Sequence, residues 1–287
     1  MPFHRRKLMY VLFSALALVG ILLALVVLRP DAGLRVTFFD VGQGDSILIQ
    51  TPTGQTMLID GGPDRSILAD LGRALPFYSR QIDIVVLTHP HADHVIGLNE
   101  VLQRYDVSTI VYADIEYDAP EYTAWQEMVR DSGATVITPR RGQRLRFGDA
   151  TFTILHPLDD IAGQYYDDVN DSSIVGRLEY HDVSFLFTGD APVAVEEGLL
   201  AEYPDTLDSD VLKVGHHGSR YSSSVDFLRA VSPQYAVIQS GVGNSFGHPH
   251  ELVLRRLGSV GAEVLRTDGQ GDIRFESDGI WVRHFTP

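Results

Sequence analysis

From Leu8 to Leu28 the chain runs through 21 apolar or small residues without one charge. As a helix that run spans about 31 Å, close to the hydrocarbon thickness of one bilayer. A cleaved signal peptide is the competing reading. Its apolar region is usually about 7–15 residues long and ends in a small-x-small site, whereas Arg29, Pro30 and Asp31 follow here. The sequence therefore predicts an uncleaved, single-pass membrane anchor. Arg5, Arg6 and Lys7 precede it and only Arg29 follows closely, so the N-terminus is expected in the cytoplasm and the remainder outside. Residues 1–7 are read as a cytoplasmic N-terminus, 8–28 as the anchor, 29–33 as a junction and 34–287 as one exported domain.

Apolar residues make up 44% of the 287, enough for a substantial core without disulfide staples. Zero cysteines exclude thiolate ligands and a cysteine nucleophile. The net charge is −15; the segment to Arg29 carries four cations and no acid, which leaves −19 on the rest. Broad electrostatic attraction of nucleic acid is thereby excluded. A polyanion has to be drawn by a local patch or by metal.

Strand-like runs are expected at 34–41, 46–50, 56–60 and 84–88. Helical patterns near 66–79, 94–104 and 121–132 then alternate with apolar runs at 109–113 and 134–138. The second half repeats the style, with strands at 151–156, 174–180, 183–188, 211–215 and 235–239 and helices near 193–203, 224–231 and 251–260. It closes with 263–267, 272–276 and 280–284, and 159–171 is its longest irregular stretch. Such alternation is an α/β signature. No repeat or Gly/Pro-rich linker divides it, so one αββα four-layer sandwich is expected, two sheets between helices.

The chemistry is concentrated in His89-Pro90-His91-Ala92-Asp93-His94. His89 and His91 stand two apart where a strand ends, so both can address one point. Asp93 and His94 follow at the turn into a helix and can address a second. Imidazoles with one carboxylate at this spacing suit divalent transition metals, and the pattern predicts two ions rather than one.

With Leu58-Ile59-Asp60-Gly61-Gly62 upstream and Phe187-Thr188-Gly189-Asp190 downstream, this stretch resembles the metallo-β-lactamase superfamily of binuclear hydrolases. Three further motifs narrow the resemblance: Phe39-Asp40-Val41-Gly42-Gln43-Gly44-Asp45-Ser46, Lys213-Val214-Gly215-His216-His217-Gly218-Ser219, and Asn244-Ser245-Phe246-Gly247-His248-Pro249. Together they are similar to the hydrolase domain at the C-terminus of the ComEC family of DNA-uptake channels in competent bacteria. The resemblance runs from about residue 34 to the end and does not extend to that family's multi-span channel.

The resemblance implies that His89 and His91 hold a first ion, Asp93 and His94 a second, and that Asp190 bridges both. Where the superfamily usually adds a histidine to the first ion, this chain has Asn170, with His156 as the other candidate. An oxygen donor there tilts the site from zinc toward manganese. His248 is implied as a further ligand of the second ion. His217 is implied as the group touching the scissile phosphate, with Ser219 bonding a nonbridging oxygen. His216 is left open between ligand and packed neighbour, because adjacent residues on a strand end point opposite ways. Asp60, and with it Asp40, is expected behind the ligands, accepting hydrogen bonds that fix their tautomers.

Two ions sharing a water lower its pKa and let it attack phosphorus in line, so no protein nucleophile is needed. The expected activity is that of an extracytoplasmic, metal-dependent phosphodiesterase acting on DNA or another phosphodiester polymer. Arg140, Arg141, Arg144 and Arg146 could grip such a backbone or form a solvated hairpin. Two other readings stand beside it: a hydrolase releasing phosphorylcholine from cell-wall polymers, and a non-catalytic DNA-binding surface module.

Overall fold

The computed structural model describes residues 2–27 and 33–285. It separates an N-terminal helix from a compact unit that starts at Gly33. The helix, α1 (Pro2–Val27), occupies the expected anchor. Its described side chains are those of Lys7 and residues 9–21, all exposed, Phe13 and Leu16 among them. Residues 28–32 and the side chains of 8 and 22–27 lie outside the described set. Among the described residues no helix is long and apolar enough to cross a membrane.

In the second unit the chain first builds β1 (Leu34–Phe38), β2 (Ile47–Gln50) and β3 (Thr56–Ile59), an antiparallel meander. Three parallel strands follow, β4 (Gln81–Leu87), β5 (Asp106–Tyr112) and β6 (Thr135–Ile137). The crossovers are α2 (Ile67–Ala74), α3 (Ala92–Leu102) and α4 (Pro120–Asp131), as parallel pairing requires. A second sheet begins with β7 (Arg144–Phe147), β8 (Ala150–His156), β9 (Val175–Tyr180) and β10 (Val183–Phe187), all antiparallel neighbours. It continues through α5 (Val193–Glu202), β11 (Val211–Lys213), α6 (Val225–Val231), β12 (Tyr235–Ile238), α7 (Glu251–Ser259) and β13 (Glu263–Arg266), with β10 to β13 parallel. After the short α8 (Thr267–Gln270), β14 (Ile273–Ser277) returns to the first sheet beside β1, and β15 (Val282–Phe285) closes its edge.

Alternation along the strands decides the layers. Ile47 and Ile49 point inward with Phe38 and Val36 to meet Phe152, Phe185 and Phe187 of the other sheet. Leu48 between them points outward, where Leu58 and Val85 pack under Val95, Leu98 and Trp125 of the helices. On the far side Leu186, Leu212 and Ala236 carry Leu199, Phe227 and Leu257 in the same way. The two sheets thus face each other with helices on both outer faces, as the alternation predicts.

Element ends differ in instructive places. The helix expected over 66–79 stops at Ala74, because Leu75 turns extended (φ −93°, ψ 153°) ahead of Pro76, which disfavours a helical residue before it. The arginine stretch contains an unexpected edge strand: Arg144 and Arg146 lie exposed on β7. Arg140 and Arg141 lie within 4 Å of acids, Asp160 at 3.7 Å and Glu202 at 2.8 Å.

Candidate metal centre

The site collects where parallel strands end, the edge at which ligands of α/β folds gather. Asp60 follows β3, His89 follows β4, and Asp190, His217 and Gln239 lie beyond β10, β11 and β12. The N-terminus of α3 is pressed onto the turn after β3. Gly61 N–H donates to the His94 carbonyl (2.8 Å) and Gly97 N–H to that of Gly62 (3.0 Å). A Cβ on Gly97 would overlap the Gly61 carbonyl, so only glycine lets helix and turn touch backbone to backbone.

Asp60 sits at that turn in the left-handed region, φ 57°, fully buried. Its Oδ1 accepts from Thr88 N–H at 2.8 Å, and its Oδ2 accepts from the Thr88 hydroxyl at 2.7 Å and His94 Nδ1 at 2.8 Å. Donation from Nδ1 turns His94 Nε2 away from Asp60, to 3.6 Å from Asp190 Oδ1. The Thr88 hydroxyl, its proton given to Asp60, accepts from His89 Nδ1 at 3.1 Å. Burial keeps the His89 ring neutral, so its Nε2 is without a proton, 3.0 Å from His91 Nδ1 and 4.0 Å from Asp190 Oδ2. One carboxylate thereby sets the tautomer of two imidazoles. His217 is fixed separately: Nδ1 donates to the Gln239 carbonyl (2.9 Å), and Nε2 lies 3.3 Å from Asp93 Oδ2 and 3.4 Å from Asp190 Oδ2.

Among the described residues four overlapping groups have ligand atoms within 4.8 Å of one another: two join motif ligands, His89 with His94 and Asp190, and Asp93 with His94 and His217, and two add Asp45, with Asp60 and His94 and with Asp190 and His217. His94 Nε2, His217 Nε2, Asp190 Oδ1 and Asn170 Oδ1 are buried and make no hydrogen bond. Native interiors rarely leave such atoms unpaired, and every one of these is a donor a divalent cation accepts. Charge points the same way. Burial opposes ionisation of Asp190, yet the His217 and His94 imidazoles hold its carboxyl well below the usual range. Burial likewise opposes protonation of His217, and Asp190 and Asp45 outweigh it, pushing its pKa up to about 10. The carboxylates thus draw positive charge onto histidines, the role a bound cation fills. The residues fit a metal centre.

Asp45, Lys213 and Gln239 were not singled out from sequence. Lys213 is fully buried, ion-paired to Asp45, donating to the Gly189 carbonyl (3.0 Å) and 3.7 Å from Asp190 Oδ1. Asp45 Oδ1 lies 3.3 Å from His217 Nδ1. Gln239 Nε2 donates to the Phe39 and Ser46 carbonyls (3.0 and 2.9 Å), holding the loop that presents Asp45. Their signal was a lysine at the end of an apolar strand and an acid between Gly44 and Ser46.

Four expectations change. Asp40 is exposed and its carboxylate accepts from Gly42 N–H (3.2 Å); the acid of that motif facing the histidines is Asp45. Ser219 is buried beneath the turn, its hydroxyl accepting from Tyr221 N–H (3.4 Å), and it does not line the cavity over the ligands. His216 and His217 do not point opposite ways. Both adopt left-handed backbone (φ 48° and 53°), and His216 Nε2 also reaches Asp190 Oδ2, at 3.7 Å. His217, rather than His248, joins Asp93 and His94 in the deep cluster. His248 stands at the mouth, stacked on Phe246 with ring centres 5.8 Å apart, and lines a cavity of about 290 Å³ together with Gln43, His91, Tyr117 and His216. Burial and the neighbouring His216 lower its pKa to about 4. Asn170 is buried in a short turn whose N–H is capped by Asp168 (3.0 Å). His156 donates from Nδ1 to the Ser173 carbonyl (2.9 Å) and joins neither cluster.

Comparison with known proteins agrees with the motifs. ComE operon protein 3 of Bacillus subtilis is 31% identical over 259 residues, 84% of this chain and 33% of that protein. Competence protein ComA of Neisseria gonorrhoeae is 34% identical over 247 residues, 86% and 33% of the two chains. The chain spans about a third of the length of these curated relatives. Among solved structures, YhfI of Bacillus subtilis, described as a metallo-beta-lactamase fold protein, aligns over 88% of this chain and 100% of its own, with a TM-score of 0.54 at 13% identity. CmlA, a diiron β-hydroxylase of Streptomyces venezuelae, aligns over 89% and 54% with a TM-score of 0.53 at 15% identity. These two likenesses concern the fold alone, which hosts different reactions. Residues 39–242, which carry every candidate ligand except His248, match the metallo-beta-lactamase superfamily, and the chain belongs to it.

Proposed function

We propose that the unit is a binuclear metal-dependent phosphodiesterase, a nuclease of the ComEC type acting on DNA outside the cytoplasm while tethered by residues 8–28. The observation that carries the reading is the convergence of unpaired, buried ligand atoms from His94, His217 and Asp190 beside the His89–His91 pair. Relatives named for competence support DNA as the substrate.

His89 through Nε2 and His91 through Nδ1 would hold one ion, with Asn170 Oδ1 as a further donor; Asp93, His94 and His217 would hold the other, and Asp190 would serve both. Bound zinc or manganese would supply Lewis acidity and a water acidic enough to attack phosphorus. Asp60 orients the His89 and His94 rings so that their Nε2 atoms would face the metal, and raises the basicity of the His94 ring. Lys213 and Asp45 hold the Asp190 turn and the His217 ring from behind, and the cation offsets part of the carboxylate repulsion. His216 and His248, at the mouth, are positioned to steady phosphoryl oxygens.

Elemental analysis after loading with manganese or zinc tests this, together with hydrolysis of bis(p-nitrophenyl) phosphate and of DNA. Two ions per chain and turnover of both substrates are expected. A stoichiometry that stays at or below one ion overturns the binuclear reading, and metal binding without turnover favours a DNA-binding module instead.

A further inference from the structure

The irregular stretch after β8 folds back onto the segment after β5. Glu116 N–H donates to the Gln164 carbonyl (2.9 Å) and Gly163 N–H to that of Asp114 (2.7 Å), and Glu116 and Tyr165 form an isolated parallel bridge. Ile115, Ile161 and Val169 pack together beneath. Between the two segments opens a cavity of about 820 Å³ that reaches His91. His91 and Tyr117 line both this cavity and the one over the metal ligands, their ring centres 6.0 Å apart, so the two spaces adjoin at these side chains.

The lining has an unusual balance for a protein expected to meet nucleic acid. Tyr117, Tyr165 and Tyr166 supply aromatic faces, Tyr165 being 72% exposed. Asp114, Glu116, Asp118, Asp167 and Asp168 supply five carboxylates, and among the described residues no lysine or arginine lines it. Tracking a phosphate backbone needs cations, so the backbone has no place here. The tyrosine faces suit stacking of a base. The carboxylates accept N–H donors, and every nucleobase carries one on its Watson–Crick edge, where it is free only in an unpaired strand.

Resting on the phosphodiesterase reading above, we propose that this cavity takes an unpaired nucleobase next to the scissile phosphate and makes the enzyme selective for single-stranded nucleic acid. A duplex hides the donors the carboxylates accept and brings a second phosphate chain against five negative charges. A single strand can turn one base inward and lead its backbone away.

The test uses the full chain in detergent micelles with manganese and a labelled DNA oligonucleotide, single-stranded or annealed. Bis(p-nitrophenyl) phosphate and p-nitrophenyl phosphorylcholine serve as small diesters, and oligonucleotide binding is read separately by anisotropy with calcium in place of manganese. The wild type should bind and cleave the single strand in preference to the duplex. Tyr165→Ala should lower single-strand affinity and kcat/KM about tenfold, the loss of one stacked base. Asp118→Lys with Asp167→Lys should raise duplex binding and narrow the preference. Equal binding of both strand forms, unmoved by either variant, overturns the proposal. So does phosphorylcholine-ester turnover that falls in Tyr165→Ala while DNA binding holds, because the cavity then serves a cationic headgroup. Failure on bis(p-nitrophenyl) phosphate with the strand preference in binding intact overturns the phosphodiesterase reading and leaves the cavity assignment standing.

Discussion

Asp60 governs nitrogens it never touches, because the hydroxyl of Thr88 relays its preference to His89. Asp60→Asn replaces one acceptor with a donor that opposes either Thr88 or His94. A loss of about tenfold to a hundredfold in metal affinity is expected, with the circular dichroism spectrum retained; chelator competition measures it, and unchanged affinity would show that the relay does not matter. Asp190→Ala should abolish hydrolysis without unfolding the chain, since it removes a carboxylate at a strand end and no core volume; near-normal turnover would refute a shared ligand. Asn170→His, an imidazole where the resemblance implies a further donor to the first ion, should shift relative activity from manganese toward zinc, read as the ratio of rates with the two metals. At this scale the sequence was legible where residues are neighbours in the chain: His89 Nε2 and His91 Nδ1 lie 3.0 Å apart and Asp93 Oδ1 lies 3.9 Å from His94 Nε2. It misled where backbone departs from regular periodicity. Gly42 and Gly44 at positive φ turn the loop between Asp40 and Asp45 out of any regular period, so spacing could not choose between the two acids, and the left-handed pair His216 and His217 brings to one point two side chains that a strand would separate.

Among the elements, α3 carries the largest share of the site, and its position depends on Gly61 and Gly97 meeting without side chains. Gly97→Ala should push the helix off the turn, costing about 1–3 kcal/mol as overpacking does and weakening metal binding in parallel. Urea denaturation with metal titration reads both; full stability together with normal affinity would show that the helix has room to shift. Strands were readable because alternation separates an inner face from an outer one, as in Ile47, Leu48 and Ile49. β7 escaped notice because its exposed arginines interrupt that signal, and α2 was drawn too long because the apolar residues continue past the point where Pro76 ends the helix.

For the whole molecule, the expected order is helix, junction and hydrolase, with the site on the outer side of the membrane. Protease added to intact protoplasts or spheroplasts should digest residues 34–287 and leave a short protected fragment; complete protection until lysis would place the site in the cytoplasm. The second unit is closed by contacts between distant parts of the chain. Its deep ligands stretch from His89 to His217, and the Gln239 amide clasps carbonyls 193 and 200 residues before it in the chain. On the proposed function, a chain emerging from its N-terminal end would offer an ion only the short histidine run at first, so metal caught then would be weakly held and free to exchange. Tight capture would wait for β11 and β12, which would make acquisition of the ion a timed event, sensitive to whichever metal is abundant in the compartment where the last third of the chain folds.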